Sequence, residues 1–388
     1  MRLKETAKRY WLRLPSSLRL ILVYWLVTRL IFTILGTASI FLIGHYSDPA
    51  HQVVFKHIPR FTGLPFIDMW LQWDSDWYLH IAKYGYTGVY NLRHEVDIVF
   101  LPLFPYLIRL LTWPFHFATT AVALIGLAVA NLSFIGGAYY LHRLVGQKFS
   151  RRVAKYTILA LFLSPMGFVF SAFLTEGLFF LLLVLAFYWA EARQWWRVGL
   201  ISLPLVLARP IGIACAAVLA VFYLVQSRTN WRQLLRPQSL WLLGPLLGAA
   251  IFIWINDHIT GQPLGFLHSE GSGWHRGFLH LAGPSGGLWT LQGLYLVAFP
   301  LLALILVGLA ARRIGWIYYL LALAMIIVPG STGLYGLIRY TSLVFPIYIA
   351  LALIIDKYRR WYEPIIMTLL IVESVHLVWW SLGMPIMQ

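Results

Sequence analysis

The stretch Trp73-Asp74-Ser75-Asp76-Trp77-Tyr78 sets two carboxylates in an aromatic run that continues to Gly85-Tyr86. Carboxylates at this spacing could accept a proton or hold a divalent ion. If residues 66–84 form a helix, at about 100° per residue Asp74 shares a face with Trp70, Trp77, Tyr78 and Ile81, and Asp76 lies about 200° away beside Gln72, His80 and Lys83. A carboxylate among aromatic rings is costly unless it faces a polar cavity or a partner. Asp74 is therefore the functional candidate and Asp76 the solvated one, and the plain alternative makes both simple interfacial polar residues. Two carboxylates so divided could not chelate one ion; that reading needs the stretch to be a loop.

The elements that must hold this stretch are apolar. The 388 residues are 60% hydrophobic and 11% charged, with a mean hydropathy of +0.74, against roughly 25% charged in a soluble domain. Apolar segments near 19–43, 118–142, 156–174, 176–190, 197–208, 211–226, 238–256, 288–311, 315–329, 338–355 and 364–383 predict an all-α polytopic membrane protein of about eleven spans. The first span, behind a basic lead, is too long for the core of a signal peptide and is expected to stay uncleaved. Most of the 30 Lys and Arg fall in residues 1–19, 143–155, 191–197, 226–238, 312–313 and 357–360. These clusters place the N-terminus in the cytoplasm and the C-terminus outside. They also explain the net charge of +16 without nucleic acid as a partner.

Arg209, Arg276 and Arg339 stand singly on the outer side, with Asp48, Asp68, Asp74, Asp76, Glu95, Asp97, Glu176, Asp257 and Glu270, so any chemistry is expected there. The membrane part, 1–388, reads as one domain without an internal repeat. Its outer loop 44–117 is predicted to carry two interfacial helices, 66–84 and 102–114, the second opening at Pro102. Cys215 is the single cysteine, which rules out an intrachain disulfide and a cysteine-based metal site.

Trp73-Asp74-x-x-x-Tyr78-x-x-Ile81-Ala82-x-x-Gly85-Tyr86, followed by Phe100-Leu101-Pro102-Leu103-Phe104-Pro105, resembles the PIG-V-like family, of the GPI mannosyltransferase II type. Leu163-Ser164-Pro165 through Ser171-Ala172-Phe173-Leu174-Thr175-Glu176, then Ala208-Arg209-Pro210-x-Gly212, then Trp274-His275-Arg276-Gly277-Phe278-Leu279 extend the likeness in the family's order. Pro210 departs from the small polar residue expected after the arginine, and the C-terminal third matches only in plan. The resemblance implies the GT-C glycosyltransferase fold, a polyprenyl-phosphate-mannose donor, a glycolipid or glycan acceptor at the outer face, and inverting transfer. Without the longer insertions of eukaryotic members, the chain resembles a prokaryotic one, which would place it in the plasma membrane.

Such a transfer needs one base and cationic groups near the leaving phosphate. Asp74 is the expected base, with aromatic surroundings that would tune it. Arg209, Arg339 with Tyr340, Arg276 and Glu176 are expected around the donor's phosphate or sugar, because a guanidinium grips phosphate with a fork. Outer arginines also snorkel to lipid headgroups, and Glu176 would suit a helix N-terminus whatever its role. Trp73, Trp77, Tyr78 and His275 are expected acceptor or sugar contacts.

The glycine-rich loop 257–287, holding His268, Glu270, His275, Arg276 and His280, has no paired-histidine ligand spacing and reads as a cover over the site. Asp74-x-Asp76 is also similar to the metal pair of nucleotide-sugar glycosyltransferases; no cofactor is expected, and a divalent ion is left open. Other lipid-phosphate sugars as donors, or a transporter of lipid-linked sugar, are the rival readings. Glu373 and His376, three residues apart in the last span, could pair within the membrane and have no assigned role.

Overall fold

The computed structural model describes residues 11–43, 61–88, 96–227, 237–272 and 290–384. Five helices in it are long and apolar enough to cross a membrane: α1 (Ser16–Ile43), α5 (Thr119–Lys148), α10 (Leu243–Thr260, extended by a preceding turn), α12 (Leu291–Ile314) and α16 (Tyr362–Ser381). Shorter apolar helices α8 (Trp195–Ala208), α9 (Gly212–Gln226) and α13 (Trp316–Gly330) join them. The remaining helices are α2 (Pro65–Asp68), α3 (Ser75–Tyr84), α4 (Leu103–Thr112), α6 (Arg151–Phe162), α7 (Glu176–Glu191), α11 (Gly265–Ser272), α14 (Leu337–Ser342) and α15 (Pro346–Lys357). Among the described residues no strand is present.

Phenylalanines knit the bundle. Phe134 of α5 stacks on Phe170 with ring centroids 4.8 Å apart, and both meet Phe180 of α7. Where helices touch most closely, glycine replaces side chains: a Cβ on Gly244 of α10 would collide with the backbone of Gly199 on α8.

Three expected helices are broken. The segment 156–174 is helical only to Phe162 and then runs through Ser164, Pro165 and a turn at Gly167–Ser171 to Thr175, buried throughout. Segment 338–355 divides into α14 and α15, because Pro346 has no N–H to continue the first helix and starts the second. The third break separates α2 from α3, within 66–84.

The first and third of these breaks meet, the Phe173 amide donating to Trp70 O. α7 runs from Glu176 to Glu191, whose carboxylate pairs with Lys148 at 2.7 Å. α8 likewise runs from the Arg193–Arg197 cluster to Arg209, about 20 Å at 1.5 Å per residue. The ends of α7 and α8 near Arg209 thus lie opposite the basic clusters.

Candidate active site

A turn delivers Asp74. Its upstream side is anchored by Asp68, whose Oδ1 accepts from the Thr62 amide and hydroxyl at 3.0 and 2.7 Å. Trp380 Nε1 donates to Met69 O at 3.0 Å, and the Phe173 amide to Trp70 O at 2.9 Å. Trp73 then takes a φ of 57°, a conformation in which a bulky L side chain crowds its own backbone. The chain turns there, and Asp74 stands at the N-cap position of α3 without a side-chain capping bond. The single helix expected over 66–84 is therefore corrected, and Asp74 is not set in an aromatic stripe: its carboxylate pairs with Arg339.

Arg339 reaches a second acid as well. Its Nε lies 2.9 Å from Glu176 Oε1, and Arg209 Nη1 lies 2.7 Å from the same oxygen. Arg209 also donates to Thr175 Oγ1 at 3.0 Å and stands over the Tyr340 ring at 4.5 Å. The result is a charge-balanced series, Asp74, Arg339, Glu176, Arg209, with the Asp74 side chain 19% exposed and Glu176 fully buried. Removing one member of such a buried pair costs roughly 3–5 kcal/mol because its partner is left uncompensated. Among the described residues Arg209 Nε and Arg339 Nη1 have no hydrogen-bond partner, so both guanidiniums hold a donor in reserve.

Each of the four comes from a helix terminus or break. Glu176 opens α7, where the helix dipole favours an acid. Arg209 ends α8 in an extended conformation before Pro210, and Gly212, which starts α9, meets the Leu205 carbonyl where a Cβ would clash. Gly336, with a φ of 75°, precedes α14 and its Arg339, a backbone state that glycine adopts without steric cost.

A cavity of about 70 Å³ opens on this series. Asp74 and Tyr78 line one side, Val99 to Leu101 another, and Ala208, Arg209, Pro210, Gly336, Arg339 and Tyr340 the rest, together with Glu270 from α11. Burial holds the Tyr78 phenol above its ordinary pKa, opposed by the nearby Arg209 charge, so the hydroxyl stays neutral at the cavity wall. Trp77 stacks on Phe100 with centroids 5.6 Å apart and so supports the wall. Neither Trp77 nor Trp73 lines the cavity.

Asp76 is not the solvated residue expected. It is half-buried, and desolvation pushes its pKa up to about 6. Asp97 holds a loop, accepting from the Thr87 amide at 2.7 Å and its hydroxyl at 3.1 Å. His275, Arg276 and His280 lie outside the described residues, as does the proposed cover beyond Ser272. Glu270, expected in the cover, lines the cavity; Thr175 was not among the expected site residues, although its pairing with Glu176 in one motif was a usable signal. Among the described residues no three His, Cys, Asp or Glu side chains cluster as a metal site.

Solved structures similar in fold include ArnT from Cupriavidus metallidurans bound to undecaprenyl phosphate, at 16% identity over 81% of this chain, with a TM-score of 0.55. The chain covers 63% of that protein's length. The apo oligosaccharyltransferase of Archaeoglobus fulgidus is also similar, at 12% identity over 94% of this chain and 56% of its own, with a TM-score of 0.49. No curated protein matches the sequence. The model of the family described as Mannosyltransferase (PIG-V) matches residues 64–237, the part that supplies Asp74, Glu176 and Arg209. The chain is thus PIG-V-like over residues 64–237 and GT-C in fold.

Proposed function

We propose that this protein is an inverting glycosyltransferase that moves mannose from a polyprenyl-phosphate donor to a hydroxyl of a glycolipid or glycan at the outer membrane face. The observation that carries the proposal is the sharing of Arg339 by Asp74 and Glu176 beside Arg209 at one cavity. The acceptor oxygen attacks the anomeric carbon from the face opposite the phosphate, the bond from that carbon to the phosphate oxygen breaks, and Asp74 takes the acceptor's proton. Negative charge accumulates on the leaving lipid phosphate, where Arg209 and Arg339 can meet it with their spare donors.

Donor binding also prepares the base. The phosphate and Asp74 are both anions competing for Arg339, so the arriving phosphate weakens the Asp74 pair and leaves the carboxylate available for the proton. The sugar must part the cavity walls, since about 70 Å³ is well below the roughly 300–1,000 Å³ of ordinary ligand sites.

The family match supports mannose, and the undecaprenyl phosphate bound to ArnT supports a lipid-phosphate donor. The site's place opposite the basic clusters supports an outward-facing site with a cytoplasmic N-terminus. The test is to incubate the purified full chain with radiolabelled polyprenyl-phosphate sugars and a membrane lipid extract. A new mannose-labelled glycoside is the expected product; movement of lipid-linked sugar across vesicles without any new glycoside would contradict the proposal.

A further inference from the structure

Away from the cavity, the bundle buries a second group of ionisable side chains that the transfer does not use. Arg29 of α1 is 7% exposed, and Glu373 and His376 of α16 are 0% and 2% exposed. All three converge on the run between α6 and α7, which holds only the short 3-10 turn Gly167–Ser171. Arg29 Nε donates to Ser171 Oγ at 2.6 Å and its Nη2 to Gly167 O at 2.9 Å. Glu373 comes to the same glycine: a Cβ there would stand 2.6 Å from its Oε1. His376 Nδ1 lies 2.7 Å from Pro165 O. Because a carbonyl only accepts, Nδ1 carries the proton, and Nε2 accepts from the Tyr295 hydroxyl.

An irregular segment within an apolar bundle leaves backbone groups that no helix satisfies, so side chains must supply partners. Neutral residues could do that at lower cost than an arginine and a carboxylate within spans. The Arg29 fork nevertheless grips two points of the run at once, and Glu373, held at the Phe168 amide of the same run, balances that charge.

We propose that Arg29 and Glu373, one from the first long helix and one from the last, are positioning residues that fix the run 163–175 and thereby set Glu176 between Arg209 and Arg339. The run ends at Thr175, which binds Arg209, and the amide of Phe173 within it bonds Trp70 in the turn that delivers Asp74. A displacement of the run therefore reaches both ends of the charge series. The link to transfer rests on the function proposed above; the effect on the run does not.

The test compares the full chain with the double variant Arg29→Met/Glu373→Met, which removes both charges and leaves no uncompensated ion. Single Arg29→Met strands the buried carboxylate and is expected to fold poorly. By hydrogen–deuterium exchange, amides of 164–176 in the double variant should exchange roughly ten-fold faster, with α5 and α12 unchanged. With undecaprenyl-phosphate mannose as the probe, kcat should fall roughly ten-fold at a nearly constant donor KM, and Arg29→Lys, which keeps the charge, should restore part of it. Unchanged exchange over 164–176 overturns the proposal. Faster exchange with unchanged kcat overturns the link to Glu176. Should the wild-type protein transfer no sugar, the function falls and exchange alone decides whether the pair fixes the run.

Discussion

Arg339 is the residue on which the site turns, because two acids depend on it. Replacing it with Lys keeps a charge but loses the fork that meets Asp74 and Glu176 from different nitrogens. Transfer by Arg339→Lys should fall roughly 10²–10³-fold, the scale of losing a preorganised donor to a developing oxyanion, as measured by initial rates at saturating donor. Asp76 gives a second prediction. Its folded pKa of about 6 stands above the ordinary aspartate value of 3.8, so the folded state holds its proton more tightly than the unfolded chain. That contribution to stability is complete below about pH 4 and is lost as the pH rises through about 6. Asp76→Asn should raise the Tm at pH 7 and flatten its change between these values in thermal denaturation scans. Asp74 stands out in the sequence as an acid within an aromatic run, although the helical stripe that singled it out does not form. Its partner was not legible, since Arg339 lies 265 positions away and nothing local ties the two together.

At the scale of elements, the site is assembled from helix ends. The end of α8 was legible because Pro210 cannot continue a helix and Gly212 permits the close return of α9. The run after Phe162 was not, because it is as apolar and buried as the helices around it, and hydropathy does not distinguish a buried helix from irregular chain fastened by distant side chains. The turn at Trp73 was missed for a related reason: it is set by contacts from Trp380 and Phe173, not by a local glycine. The contact of α8 with α10 makes a prediction of its own. Gly244→Ala places a methyl against the Gly199 backbone and should destabilise the protein by roughly 1–3 kcal/mol, seen as a lower unfolding temperature in detergent. The effect on transfer should follow through Arg209, at the end of α8.

For the whole molecule, the proposed site and the basic clusters lie toward opposite ends of α7 and α8. Cys215 is the single cysteine and is buried, so Cys215→Ser gives a background for mapping that orientation. In intact cells, an impermeant maleimide should label Gln262→Cys, which is exposed after α10, and should leave Arg151→Cys, exposed at the start of α6, unlabelled until the membrane is permeabilised. The general plan of apolar spans was legible from composition, whereas the convergence of α3, α8, α11 and α14 on one cavity required the fold.

The most direct test of the account is the transfer rate of Asp74→Asn measured beside its binding of undecaprenyl phosphate. The substitution retains shape and removes the proton acceptor, so the rate should fall roughly 10²–10⁴-fold, the usual contribution of a general base. Binding of the lipid phosphate should be retained or strengthened as Arg339 is released. Near wild-type transfer by Asp74→Asn would contradict the assignment of the base.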